Sequence, residues 1–376
     1  MLAFIGHFAF CIGLWTFVHL PGYLEGLGGG QAEIGIIIGV ISISAIVSRP
    51  TIGRLMDRRG RRPVVLGGAA INLLAVCAYL TADSLGPWIY VIRIVHGIGE
   101  AALFSVFFTI AADVIPASRR TEGIAIFGVS GLLPLSLGGL LGDIILKHWD
   151  YSALFLVAAL VSLLALLLCI AIPETRPARK RLGAPTRLLD IFLTADLIPL
   201  WLLTFGFTCG LTSYFTFIKT YIGETQIGSV GLFFFSYSAA AVLCRLFFSW
   251  IPDKVGLRKM LVPMLLSLSG GILMLAYGEH AWTVAMAGVL CGLGHAYVFP
   301  IISALVVSRA DDDDRGAAMT MFTALFDLGA LVGAPLFGWI IEKSSYQTMF
   351  VTAVCFVATF SIVFFIVDRR LSATPV

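Results

Sequence analysis

The sequence predicts an all-α membrane protein, with twelve transmembrane helices in two pseudo-symmetric six-helix bundles. Three observations carry that expectation. The 376 residues are 59% hydrophobic and 12% charged, whereas soluble domains hold roughly 45–50% apolar residues. Apolar runs of about 20 residues, the length a helix needs to cross the hydrocarbon of a bilayer, recur along the whole chain. The third observation is a charge signature, Gly53-Arg54-Leu55-Met56-Asp57-Arg58-Arg59-Gly60-Arg61-Arg62, with a weaker copy at Asp253-Lys254-Val255-Gly256-Leu257-Arg258-Lys259. The step from Asp57 to Asp253 (253 − 57 = 196) also carries Gly60 to Gly256, Arg62 to Arg258 and Arg49 to Arg245. A signature repeated once per half implies an internal duplication.

The predicted spans lie near residues 2–20, 32–54, 63–82, 87–112, 120–146, 151–172, 192–218, 227–251, 260–278, 282–308, 316–341 and 346–367. The first lacks the basic start and small-residue cleavage site of a signal peptide and reads as a retained helix. A basic linker, Pro173 to Asp190, separates a first bundle over 1–172 from a second over 191–376. With both termini inside, nineteen of the 25 Lys and Arg fall in cytoplasmic loops and the tail, and only Lys147, Lys219 and Lys343 in outer loops. The other three, Arg49, Arg93 and Arg245, sit within spans. That asymmetry fixes the orientation by the positive-inside rule. The net charge of +3 carries no implication of a nucleic-acid partner, because its basic residues flank the membrane. The seven cysteines are scattered singly in apolar runs, so neither a metal site nor a cofactor is expected.

Taken in order, the spans offer a few polar groups where polar groups are expensive. In the fourth, Arg93, His96, Gly97 and Glu100 share one helical face. A charge at a helix centre costs roughly 2.5–3.5 kcal/mol, so such residues face a bundle interior or a wet cavity. They read either as an Arg93–Glu100 pair locking the helix or as proton-coupling groups, Glu100 being the better carrier and His96 equally a packing residue. The fifth span, Gly128 to Gly139, combines glycines with Pro134, suiting close packing and bending. Asp143 and Asp150, near its outer end, read as solvated.

The seventh span places Thr204, Thr208, Thr212 and Thr216 four apart, with Tyr214 and Phe215 among them. Thr208, Thr212, Tyr214 and Phe215 are candidates for a substrate cavity, although threonines bonded back to their own helix explain the stripe as well. The tenth span echoes the fourth at Cys291-Gly292-Leu293-Gly294-His295, which brings His295 opposite Glu100 and makes it a further proton-coupling candidate. Asp327, near the middle of the eleventh span, has no neutralising neighbour in sequence and needs a partner from another helix or from water. Asp311 to Asp314 read as solvated residues at a helix start.

These features resemble the major facilitator superfamily of secondary transporters across essentially the whole chain. Gly53–Arg62 matches that family's loop between helices 2 and 3, and Asp253–Lys259 is similar to its copy between helices 8 and 9. Arg93–Ala101 resembles the helix-4 pattern of proton-coupled members, with His96 where glutamine is common and Glu100 where a small residue is common. Gly128–Gly139 resembles the helix-5 antiporter motif, without the glycine directly before Pro134. The resemblance implies the major facilitator fold and a monomeric transporter of a small organic solute, working by alternating access. Its expected setting is a bacterial cytoplasmic membrane and its expected mode proton-coupled efflux, a proton-coupled uptake symporter being the alternative. A non-transporting receptor is the remote third reading. It further implies a cytoplasmic gate of Gly53, Asp57, Arg58, Gly60, Arg61, Asp113, Asp253, Gly256 and Arg258. In that gate Asp57 would lie against the start of helix 11 near Arg315–Gly316, with Arg58 or Arg61 on Asp113. An enzyme is not expected, because the Gly-x-Gly stretches at 97–99 and 292–294 lie inside apolar helices and follow no strand.

Overall fold

The computed structural model describes residues 1–115, 120–175, 188–311 and 314–373, with the side chains of 120–122, 124, 125, 188, 189, 253 and 369–373 left out. Most of the basic linker and Asp312 and Asp313 therefore lie outside the described residues. Among the described residues, twelve helices are long and apolar enough to cross a membrane. They are α1 (Leu2–Gly26), α2 (Gln31–Arg59), α3 (Arg61–Thr81), α4 (Pro87–Val114), α5 (Arg120–His148) and α6 (Tyr151–Ile170). The second set is α7 (Ile198–Thr225), α8 (Val230–Phe247), α9 (Leu257–Tyr277), α10 (Ala281–Arg309), α11 (Arg315–Lys343) and α12 (Tyr346–Ala373). Two details depart from the spans read in sequence. A 3₁₀ turn at Phe17–His19 interrupts α1 ahead of Pro21. The α2 helix continues through Arg59, so the arginine-rich stretch is helix up to a single reversing residue.

That residue is Gly60, with φ at 100°, and its copy Gly256 has φ at 97°. A side chain disfavours this backbone region, which is why glycine stands at both turns. The face bearing these turns is called the basic face below, and the opposite one the far face.

Packing repeats between the two sets. The pairs α1–α5, α1–α6, α2–α4, α3–α4 and α3–α6 recur as α7–α11, α7–α12, α8–α10, α9–α10 and α9–α12. The bundles meet mainly through α2 against α11 and α5 against α8. The buried apolar residues form two clusters. One joins the whole second bundle to far-face residues of the first, among them Phe17, Leu24, Ile34, Ile37, Tyr79 and Phe155. The other holds first-bundle residues nearer the basic face, such as Phe10, Ala45, Ile52, Val106 and Cys169. The bundles are thus fused toward the far face, and near the basic face the first keeps a core of its own.

Candidate functional site

A cavity of about 320 Å³ lies between the bundles, walled by α1, α2 and α4 on one side and α7, α10 and α11 on the other. The rings of Trp15, Phe17, Phe104, Phe215 and Phe326 line it, together with Arg49, Arg93, His96, Glu100, His295 and Asp327. A mostly apolar cavity with a few convergent polar groups suits a small organic molecule. All five proton-coupling candidates read from sequence reach this one space.

They do not act as a single cluster. Asp327 finds the partner it required in Arg49 of α2, whose Nε donates to Oδ2 at 2.8 Å across the bundle boundary. Arg49 Nη1 also lies 3.5 Å from Ser105 Oγ on α4. Arg93 does not pair with Glu100. Its Nε donates to the Ile37 carbonyl at 3.1 Å, Nη2 to the Ile38 carbonyl at 2.9 Å and Nη1 to the Tyr79 hydroxyl at 3.3 Å. Three hydrogen bonds offset the cost of holding the guanidinium away from water and tie α4 to α2 and α3. The close approach has a steric basis in Gly97 on the same face, where an added Cβ would collide with Ser44 Oγ and the Ile41 carbonyl.

Glu100 is left over. Among the described residues its carboxylate makes no hydrogen bond or ion pair, although it lines the cavity. His96 is fully buried, with Nδ1 3.2 Å from the Tyr79 hydroxyl and Nε2 without a partner among the described residues. In the second bundle His295 pairs through Nδ1 with the Tyr237 hydroxyl and packs against Phe207, its ring centroid at 5.8 Å. Each bundle therefore sets a Tyr–His pair at the cavity wall, reached through α3 in one and α8 in the other.

The threonine stripe is a packing seam as well as a wall. Thr204, Thr208 and Thr212 each donate to the carbonyl four residues earlier, at 2.7, 2.9 and 2.8 Å. Thr208 and Thr212 face glycines of α11, and a Cβ at Gly329 would stand 2.7 Å from Thr208 Cβ. Thr208, Thr212 and Phe215 reach the cavity, but Tyr214 does not. Two residues from Thr212 on a helix of 3.6 residues per turn, it points to the other side. There it is fully buried against Phe233 and Tyr237, at 5.3 and 6.1 Å.

At the basic face, Arg61 is the arginine that reaches Asp113, Nε to Oδ2 at 3.0 Å, while also donating to the Met56 carbonyl. Glu174 accepts from the backbone N–H groups of Arg61 and Arg62 at 2.8 and 3.1 Å, capping the start of α3. Arg258 pairs with Asp368 at 2.9 Å, as does Arg309 at 2.7 Å. The contact expected between Asp57 and the start of α11 is absent among the described residues. The half-exposed Asp57 carboxylate instead lies 3.4 Å from Arg61 Nη1, and a Cβ added at Gly53 or Gly316 would meet nothing within 4 Å. The physical reason is the fusion of the bundles at the far face, which leaves this end of α2 to the first bundle's own core. Asp253 belongs to the same expected gate, but its side chain lies outside the described residues.

Sequence reading missed Arg49 as the partner of Asp327, although its copy at Arg245 was a signal. Asp143 reads as solvated in sequence, whereas its Oδ2 accepts from the backbone N–H of Gly231 at 2.6 Å, and His19 Nε2 lies 3.9 Å from its other oxygen.

Comparison with known proteins places the chain among carriers. The family model described as Major Facilitator Superfamily matches residues 2–230 and 200–376. The chain is 25% identical over 354 residues to the uncharacterized MFS-type transporter YhhS of Escherichia coli (strain K12), covering 90% of this chain and 84% of that one. It is 23% identical to the staphylopine export protein of Staphylococcus aureus (strain Mu50 / ATCC 700699), over 89% of this chain and 86% of that one. The solved structure of the nucleoside transporter NupG shares the fold, with a TM-score of 0.81 at 13% identity over 97% and 98% of the two chains.

Proposed function

The chain belongs to the Major Facilitator Superfamily and is a multi-pass membrane transporter, not an enzyme; from that premise we propose that it exports a small amphipathic solute in exchange for protons. The observation that carries the reading is Glu100, a carboxylate that faces the cavity and makes no hydrogen bond or ion pair among the described residues, while Arg49 and Asp327 bridge the bundles across the same space. An uncommitted carboxylate is free to take a proton or to hold a positively charged or donor group of the solute, and the two compete for it. The surrounding aromatic rings favour an apolar body on that solute, and cationic heads gain further from aromatic faces. Protonation of Asp327 would release Arg49 and loosen the α2–α11 contact, coupling proton entry to movement of one bundle against the other.

The glycine row and Pro134 of α5 favour export as the direction, as does the name of the staphylopine relative. The basic face is then cytoplasmic, both termini lie inside a bacterial cytoplasmic membrane, and the conformation is one closed toward the outside. The 1–172 and 191–376 bundles are the two rocking bodies, and the protein works as a monomer.

A thermal-stability screen of the purified protein across drugs, sugars and metabolites finds a ligand. That ligand should then accumulate in inverted vesicles with an acidic interior, and Glu100→Gln should abolish the accumulation at unchanged protein level. Undiminished accumulation in that variant removes Glu100 from the coupling. Flux of the opposite sign under the same gradient supports uptake by symport instead.

A further inference from the structure

Two carboxylates reach from one bundle to the other at the far face, and they occupy matching positions in the two halves. Asp143, near the end of α5, accepts through Oδ2 from the N–H of Gly231, the second residue of α8, at 2.6 Å. Glu342, at the end of α11, accepts through Oε1 from the N–H of Ala32, the second residue of α2, at 3.0 Å. One displacement relates both acids and both helix starts, since 342 − 143 and 231 − 32 each equal 199. The roles are crossed: the first bundle gives the acid in one contact and the helix start in the other.

A helix start exposes unpaired N–H groups and the positive end of the helix dipole, so a carboxylate there is stabilised. The start of α2 has Gly30 as its N-cap and no capping side chain of its own. Glu342 is therefore its cap, supplied by the other bundle. At α8, Ser229 Oγ already accepts from Leu232 N–H at 3.0 Å, and Asp143 takes the neighbouring donor. Glycines make both approaches possible. A Cβ at Gly231 would stand 2.8 Å from Asp143 Oδ2 and 3.0 Å from Leu140 Cα, and one at Gly338 would collide with the Gln31 carbonyl. Neither contact survives separation of the bundles at this face, because each joins one bundle to the other.

We propose that Asp143–Gly231 and Glu342–Ala32 are paired latches that close the far side of the central cavity, making Asp143 and Glu342 gate-positioning residues of the transport cycle. Assigning the latches to that cycle rests on the alternating-access reading. Whether they hold the bundles together is testable without solute or protons, so the two ideas fail separately.

The test is a distance measurement between spin labels on exposed far-face loops, at cysteines placed at Asp83 of the first bundle and Glu279 of the second. The exposed Cys77 and Cys355 are replaced by serine. Asp143→Asn or Glu342→Gln alone should raise the ratio of long to short distances about fivefold, the factor a charge at a helix end contributes. Both together should raise it about 25-fold, because the two contacts are well separated. The double exchange Asp143→Glu with Glu342→Asp retains both charges and should stay close to the wild-type ratio. An unchanged distribution in the folded double amide variant overturns the proposal. So does equal lengthening in the charge-retaining exchange, which would make shape rather than charge the cause. Should the double amide variant not fold, the single variants decide by the same criterion.

Discussion

Arg49 Nε and Asp327 Oδ2 stand 2.8 Å apart, a guanidinium of α2 against a carboxylate of α11, each about one-fifth exposed at the wall of the central cavity. No other ion pair among the described residues joins the bundles with an arginine or lysine, so this bond reports directly on their relative position. Its strength depends on the cavity staying poor in water, because low polarisability of the surroundings strengthens such a pair and raises the cost of breaking it.

Asp327→Asn should therefore leave an uncompensated guanidinium. The expected loss of stability is about 1–3 kcal/mol, below the roughly 3–5 kcal/mol of a fully buried pair because both partners retain some solvent. Proton-driven transport in vesicles should fall at least tenfold. Arg49→Gln combined with Asp327→Asn should recover the folded yield, measured by size-exclusion chromatography, without recovering transport. Wild-type flux in that double variant would make the bridge purely structural.

Arg93→Lys tests the opposite assignment, a charged residue that serves the fold. An ammonium cannot span the Ile37 and Ile38 carbonyls and the Tyr79 hydroxyl in the planar fork that arginine uses. Loss of one or two charge-assisted bonds should lower stability by about 1.5–3 kcal/mol. Transport per folded molecule should change less than twofold. A tenfold drop in the folded fraction's turnover would return Arg93 to the coupling machinery.

Tyr214→Phe should be silent in transport and neutral or stabilising by up to about 1 kcal/mol, because the buried Tyr214 hydroxyl, although near Tyr237, meets no well-placed hydrogen-bond partner among the described residues. A thermal melt reads this directly. Markedly reduced solute binding would instead mean that the ring turns toward the cavity in another state.

Asp57→Asn should slow turnover without lowering the melting temperature by more than a few degrees. In this conformation the half-exposed Asp57 carboxylate meets, among the described residues, only the largely buried Arg61 at 3.4 Å, and a pair with one partner in solvent contributes at most about 1 kcal/mol. Its value would lie in the state where the basic face closes on the start of α11. Unaltered turnover would reduce the arginine-rich stretch to a marker of topology.

The fold was legible because its signals are local. Twenty-residue apolar runs, clustered arginines and the paired turn glycines Gly60 and Gly256 each declare themselves within one segment. The intramembrane charges also stood out, because bilayer cost makes every one conspicuous. Partners were less legible, since they come from helices distant in sequence. Arg93 and Glu100 share a helical face, which suggested a pair, yet the guanidinium found better acceptors on α2. Asp143 lies in a stretch that reads as a polar helix end, and nothing nearby tells that the start of α8 covers it. Tyr214 was misplaced through its neighbours: a stripe of threonines marks one face, and a residue two positions along belongs to the other.

Arg93 is satisfied chiefly by main-chain carbonyls of Ile37 and Ile38, and that has a consequence for how this protein is made and how it can vary. Carbonyl acceptors exist whatever side chains α2 carries, so substitutions at 37 and 38 that keep the helix cannot strip the arginine of its partners. The α2 helix also precedes α4 in synthesis. When the arginine-bearing segment leaves the ribosome, its acceptors are already in the bilayer, ready to receive a charge that lipid alone would refuse.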